Sequence, residues 1–223
     1  MSEYRHEWKH EINYADLLTL RMRLKAIMHI DEHTINGKYE IRSLYFDSPN
    51  DKALYDKIDG VNRREKFRIR YYNHDASFIV LEKKSKINGL CQKISATITK
   101  EQAQSIIDGK LDWMMKAHPL CQELYFKMHT QGLRPKTIVD YTREAFVYKP
   151  GNVRITMDYA IRTGENRIDF LNPETITIPA GDSPIILEVK WDDFLPSIIK
   201  DAVTIPGRRA SAFSKYEQCS LYQ

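Results

Sequence analysis

The stretch REKFRIRYY alternates charge and bulk with a period of two. In an extended chain Lys66, Arg68, Arg70 and Tyr72 share one side, and Phe67, Ile69 and Tyr71 share the other. The same alternation recurs along the chain. In HEWKHEI it sets Glu7, Lys9 and Glu11 against His6, Trp8, His10 and Ile12. SFIVLEKKSK puts Glu82, Lys84 and Lys86 on one side with Lys83 opposite, and VRITMDY sets Arg154, Thr156 and Asp158 against Val153, Ile155 and Met157. IILEVKW sets Glu188 and Lys190 against Leu187, Val189 and Trp191. One such strand would be read as an antiparallel strand with a solvated face. Five together predict a sheet that rolls up, because closure puts one face of every strand inside. We read the fold as α+β: a closed antiparallel barrel with a charged lumen and an apolar outside clad by helices.

Two turns fix the register. Asn88-Gly89 lies between two strand segments and specifies a two-residue hairpin. Ile87 then faces Leu90, and Lys84 stands directly opposite Lys93. Like charges so placed are destabilising, which a bound anion would reverse. The loop Lys149-Pro150-Gly151-Asn152 pairs Tyr148 with Val153, so Arg143 faces Asp158 and shares a side with Tyr141 and Arg154. The Arg143–Asp158 pair reads either as a surface ion pair or as an arginine oriented for a ligand.

HEWKH matches H-E-x-x-H, in which a helix lets two histidines chelate zinc. Here Asn13 is a good helix cap with Asp16 three residues on, so the helix starts after His10 and the motif falls on a strand. A zinc site is not expected. Further helices are expected after Thr99, at Asp112–His129 with a break at Pro119, from Leu195 to about Val203, and at the C-terminus. No Gly/Ser linker or repeat divides the 223 residues, which we read as one domain. The three cysteines are scattered, which argues for a reducing, cytoplasmic setting, and no apolar run approaches the roughly 20 residues of a membrane span. Among nine glycines none forms a Walker loop. In KFRIRYY, Phe67 and Tyr71 lie opposite Arg68 and Arg70, with only Tyr72 beside them, and the net charge is only +4. Both speak against a nucleic-acid partner.

The stretches YRHEWKHEI, IRSLYFDS, FRIRYY, LEKKSK, YTREAFVY, VRITMDY, LEVKW and FSKY, in this order, resemble the catalytic domain of the vacuolar transporter chaperone (VTC) family. That family belongs to the triphosphate tunnel metalloenzyme, or CYTH-like, superfamily. The resemblance implies a tunnel of eight antiparallel strands and a divalent-metal-dependent transfer of the γ-phosphoryl group of ATP to a growing polyphosphate chain. It implies catalytic roles for Arg68, Arg70, Lys84 and Arg143. Substrate contacts fall to Lys9, Lys93, Tyr141, Arg154, Lys190, Ser214 and Lys215. Glu188, an acid expected to stand alone amid cations, becomes the ligand of Mn²⁺ or Mg²⁺. The partners implied are ATP and polyphosphate or pyrophosphate, with no direct membrane insertion; protein partners are not specified. Two departures stand out. Ala212 occupies the place of a further lysine two residues before Ser214, and the superfamily's E-x-E-x-K opening reads Glu7-x-Lys9-x-Glu11. Alternatives on the same scaffold are an inorganic triphosphatase or cyclase, and a non-catalytic polyphosphate-binding module.

Overall fold

A computed structural model describes residues 5–88, 90–182, 184–208, 210 and 212–221. The N-terminal half contains β1 (His6–Ile12), α1 (Tyr14–Ile27), β2 (His29–Ile30), β3 (Lys38–Asp47), α2 (Lys52–Ile58), β4 (Arg63–Tyr72), β5 (Asp75–Ile87), β6 (Leu90–Ile98) and α3 (Lys100–Ile107). The C-terminal half contains α4 (Pro119–Thr130), β7 (Arg134–Tyr148), β8 (Val153–Thr163), β9 (Ile178–Pro179), β10 (Ile185–Trp191), α5 (Ser197–Val203) and α6 (Lys215–Leu221). Eight long strands form one antiparallel path in the order β1-β10-β8-β7-β3-β4-β5-β6, with β2 and β9 as short additions. Irregularities at Tyr45/Phe46, Arg70/Tyr72 and Asp140/Thr142 interrupt the ladders, and such bulges bend a sheet.

The barrel expected from the sequence is not closed. The sheet curls into a half-barrel, and among the described residues no ladder joins its edges, β1 and β6. Charged side chains bridge near the gap instead: Lys84 Nζ on β5 lies 3.3 Å from Glu7 Oε2 on β1. Side chains meeting head to head hold strands farther apart than the roughly 4.8 Å of a backbone ladder.

Both turns hold the expected register. Ile87 pairs with Leu90 and Lys84 with Lys93, Asn88 having φ +49°; Gly89 lies outside the described residues. Tyr148 pairs with Val153 and Arg143 with Asp158. Gly151 turns that second hairpin at φ +70°, where a Cβ would overlap the Phe194 carbonyl oxygen.

The outward faces are apolar and clad by helices. One cluster joins Phe67, Ile69, Ile79 and Leu81 of β4 and β5 to Ala103 and Ile106 of α3 and Leu120 and Leu124 of α4. On the opposite side Leu17, Leu20 and Leu24 of α1, and Ile199 of α5, cover Ile155, Met157, Leu187 and Val189. The start of α1 is held as its sequence specifies: Asp16 N–H donates to Asn13 Oδ1 at 2.8 Å and Asn13 N–H to Asp16 Oδ2 at 3.1 Å. A third cluster lies inside the curl. There Tyr216 of α6 stacks on Tyr45 with ring centres 5.1 Å apart and donates to Asp47 at 2.6 Å. Asp47 also accepts from the backbone N–H groups of Ala53 and Leu54, so one buried carboxylate ties α2 and α6 to β3. No helix among the described residues is long and apolar enough to cross a membrane.

Candidate functional site

The curl encloses a cavity of about 460 Å³. All twelve site residues named from the sequence line it: Lys9, Arg68, Arg70, Lys84, Lys93, Tyr141, Arg143, Arg154, Glu188, Lys190, Ser214 and Lys215. They converge from seven strands and from the start of α6, because each strand turns its charged side inward. Eleven cationic side chains share this wall with four carboxylates.

Each carboxylate holds several cations. Glu82, 2% exposed, accepts from Arg68 Nε at 2.9 Å and from Arg70 at 2.8 Å, with Lys93 Nζ at 3.4 Å. Burial alone would raise its pKa, but Arg68, Arg70 and Lys93 pull it down to about 2. Asp158, fully buried, accepts two parallel bonds from Arg143 at 2.6 and 2.7 Å and another from Lys215. Here too burial is overcome, by Arg143 and Lys215, and the pKa falls to about 2. The geometry is therefore that of an oriented arginine, not of a surface pair.

The third group is shared. Lys9 Nζ lies 3.1 Å from Glu7 and 3.5 Å from Glu188, while Lys190 Nζ lies 3.4 Å from Glu7 and 3.1 Å from Glu188. Burial opposes the charge on Lys9, and Glu188 and Glu7 outweigh it to hold the ammonium above its ordinary range. Glu188 sits well below the ordinary carboxylate range, burial being outweighed by Lys190, Lys9 and Arg143. The expectation that Glu188 stands alone is thus corrected. Period-two alternation brings Glu7 and Glu82 to the same inward face, and the hairpin register adds Asp158.

Lys84 and Lys93 are opposite each other as the turn requires, but each also has a carboxylate, Glu7 and Glu82 respectively. Arg154 reaches outward to Asp31 at 2.8 Å, which Tyr39 also contacts. Tyr141 lies under two cations, Lys215 at 4.6 Å and Arg143 at 5.5 Å from its ring centre. Burial would raise its pKa, yet Arg143, Arg68 and Lys215 lower it.

Sequence reasoning left several cavity residues unassigned. Lys66 is on the Arg68 face and could have been found from the alternation. Its Nζ donates to Ser214 Oγ at 3.2 Å. Tyr45, whose hydroxyl accepts from Arg68 at 2.8 Å, was hidden because β3 shows no alternation: seven consecutive residues from Ile41 to Asp47 are buried.

Chemically, the wall suits a multiply charged oxyanion. Arginine forks offer parallel donors to its oxygens, and lysines supply point charges. Among the described residues no three His, Cys, Asp or Glu side chains cluster as a ready metal cage. Glu7 and Glu188 nonetheless share Lys9 and Lys190, so the two carboxylates converge on the same pair of ammonium groups. That donor set fits Mg²⁺ or Mn²⁺, which commonly take one or two carboxylates and complete their shell with water and phosphate oxygens.

Among solved structures the chain is similar to a Bacillus halodurans protein described as a candidate adenylate cyclase, at 12% identity and TM-score 0.53, covering 85% of this chain and 81% of that one. It is also similar to the PH1819 protein of Pyrococcus horikoshii OT3, at 15% identity and TM-score 0.45, covering 90% and 84%. No curated protein matches it. Residues 4–222 match the model of the VTC domain, so a sequence whose strands turn this charged wall inward along nearly its whole length belongs to the VTC domain family.

Proposed function

We propose that this protein is a polyphosphate polymerase-like enzyme that transfers the γ-phosphoryl group of ATP to a growing polyphosphate chain, with a divalent metal ion. The observation that carries the reading is the convergence of eleven cationic side chains on one cavity, four carboxylates holding most of them in place. Phosphoryl transfer asks little covalent work of a protein; it requires the phosphates held in line and their charge neutralised by groups already in position. Arg68 and Arg70 would grip phosphate oxygens while Glu82 holds their planes. Arg143, fixed by Asp158, would do so from the opposite wall, with Lys9, Lys84, Lys93, Lys190, Ser214 and Lys215 completing the cradle. Glu188, with Glu7, would hold Mn²⁺ or Mg²⁺. When bound, that ion would supply Lewis-acid charge that offsets the negative charge of the phosphates.

A second reading is hydrolysis or cyclisation on the same scaffold; the Bacillus halodurans neighbour is described as a candidate adenylate cyclase. One experiment separates them. The protein is incubated with ATP and Mn²⁺, and the products are examined on a gel stained for polyphosphate and assayed for ADP, free phosphate and cyclic nucleotide. Polyphosphate with stoichiometric ADP supports the polymerase. Free phosphate without polymer, or cyclic nucleotide, overturns it.

A further inference from the structure

Ser214 and Lys215 reach the cavity from the start of a short helix, not from a strand. A strand side chain is aimed by the register of its ladder, whereas α6 has seven residues and no ladder. Some other contact must therefore set how the helix turns its side chains. Two polar contacts leave that rotation loose. Lys57 Nζ, on a flexible stem, lies 3.2 Å from Glu217 Oε2, and Thr163 Oγ1 donates to the Cys219 carbonyl at 3.3 Å.

Tyr216 is held more tightly. It is buried, and its hydroxyl donates to Asp47 Oδ2 at 2.6 Å. The acceptor is itself fixed by backbone. Asp47 also accepts from the N–H groups of Ser48 at 2.7 Å, Ala53 at 2.8 Å and Leu54 at 3.2 Å. Burial, and then the Asp47 charge, hold the Tyr216 phenol well above its ordinary range, so the group stays a donor. Its ring stacks on Tyr45, whose hydroxyl accepts from Arg68 at 2.8 Å. The two residues before Tyr216 face the cavity. Lys215 Nζ donates to Asp158, and Ser214 Oγ accepts from Lys66 at 3.2 Å. A hydrogen bond to an ionised acceptor adds direction as well as strength. Successive helical residues are about 100° apart, so pinning Tyr216 fixes where Lys215 points.

We infer that Tyr216 is a positioning residue: its bond to Asp47 sets the rotation of α6 and so places Ser214 and Lys215 where they meet phosphate. The inference rests on the reading of the cavity as a triphosphate cradle. Tyr216 lies behind the cavity wall and acts through its two neighbours.

The test is titration calorimetry with inorganic triphosphate, without added metal. It compares the parent, Tyr216→Phe, Lys215→Met and Arg154→Met, and the doubles that join Tyr216→Phe to each of the other two. Tyr216→Phe keeps the ring and leaves Asp47 its three backbone donors, so the variant should fold, which circular dichroism checks. It should lose about tenfold in triphosphate affinity, the scale of one hydrogen bond to a charged group. With Lys215→Met the combined loss should fall well short of the product of the single losses, because both act through one ammonium group. With Arg154→Met, whose arginine pairs with Asp31, the losses should multiply. Asp47→Asn weakens the same bond from the acceptor side and repeats the cycle should Tyr216→Phe fail to fold. A folded Tyr216→Phe with a lower melting temperature and unchanged triphosphate affinity would make the residue structural and overturn the inference. Losses that multiply with Lys215→Met as they do with Arg154→Met would overturn it too. A parent that binds no triphosphate overturns the cradle, and the inference with it.

Discussion

Glu82 shows how the site can be dense in charge and still fold. A buried carboxylate with one partner is strongly destabilised when that partner is removed, but Glu82 has Arg68, Arg70 and Lys93 around it. Arg68→Ala should therefore leave circular dichroism and melting temperature near those of the parent, since Arg70 and Lys93 still neutralise the acid. Turnover of ATP should fall by about a hundredfold or more, the usual effect of losing one preorganised electrostatic contact. Unchanged turnover would show that Arg68 decorates a wall and grips nothing. Glu188→Gln separates charge from shape in a different way. It leaves Lys9 and Lys190 with Glu7 as their shared acid, so metal-free triphosphate binding should hold or tighten while Mn²⁺-dependent turnover drops steeply. Equal turnover of variant and parent across a Mn²⁺ titration would remove Glu188 from the metal site. Both residues were legible from period-two alternation. The role of Asp158 was legible only through the turn at Pro150-Gly151, because facing Arg143 depends on register and not on periodicity.

At the level of elements, hairpins and capped helices were readable and buried strands were not. Asn88-Gly89 and Asn13 with Asp16 are short-range signals whose geometry is nearly independent of the rest of the chain. β3 is buried on both faces and lacks alternation, and α2 starts at Asp51 with φ +51° and no side-chain cap; neither carries a local mark. The failure to close was also invisible, since whether β1 meets β6 depends on how far side chains such as Lys84 and Glu7 hold the edges apart. The row Lys66–Lys84–Lys93 across β4, β5 and β6 carries a prediction of its own. Lys84 faces a like charge on each side, costing a few tenths of a kcal/mol apiece, and regains a modest part from Glu7. Lys84→Met should therefore leave the ligand-free melting temperature unchanged or slightly raised. Triphosphate stabilises by mass action, and its effect on the melting temperature should shrink in the variant. If triphosphate raises melting as much in Lys84→Met as in the parent, this lysine does not hold phosphate.

Across the whole molecule, the lumen is a set of positive charges whose internal counterions are a few buried acids, and that arrangement has a pH signature. Glu82 and Asp158 have pKa values of about 2 in the folded protein, against roughly 4.3 and 3.9 for unfolded Glu and Asp. Both are depressed on folding, so their contribution is fully present above the unfolded values and is lost as pH falls through the folded ones. The window runs from about pH 5 down to about pH 2, and each such group is worth on the order of a few kcal/mol across it. Protonation also leaves Arg68, Arg70, Arg143 and Lys215 facing one another without their acids, so the loss extends to the whole curl and not to one contact. Urea unfolding measured at successive pH values should show stability falling steeply through this window. Glu82→Gln should be less stable than the parent at neutral pH and show a shallower acid dependence, because one depressed group has been removed. Triphosphate, which keeps negative charge over much of the same range, should shift the parent's acid transition to lower pH by substituting for the lost carboxylates. A parent whose stability is flat between pH 5 and pH 2 would mean that the buried acids are not the counterions of the lumen, and that the cations are screened by solvent instead.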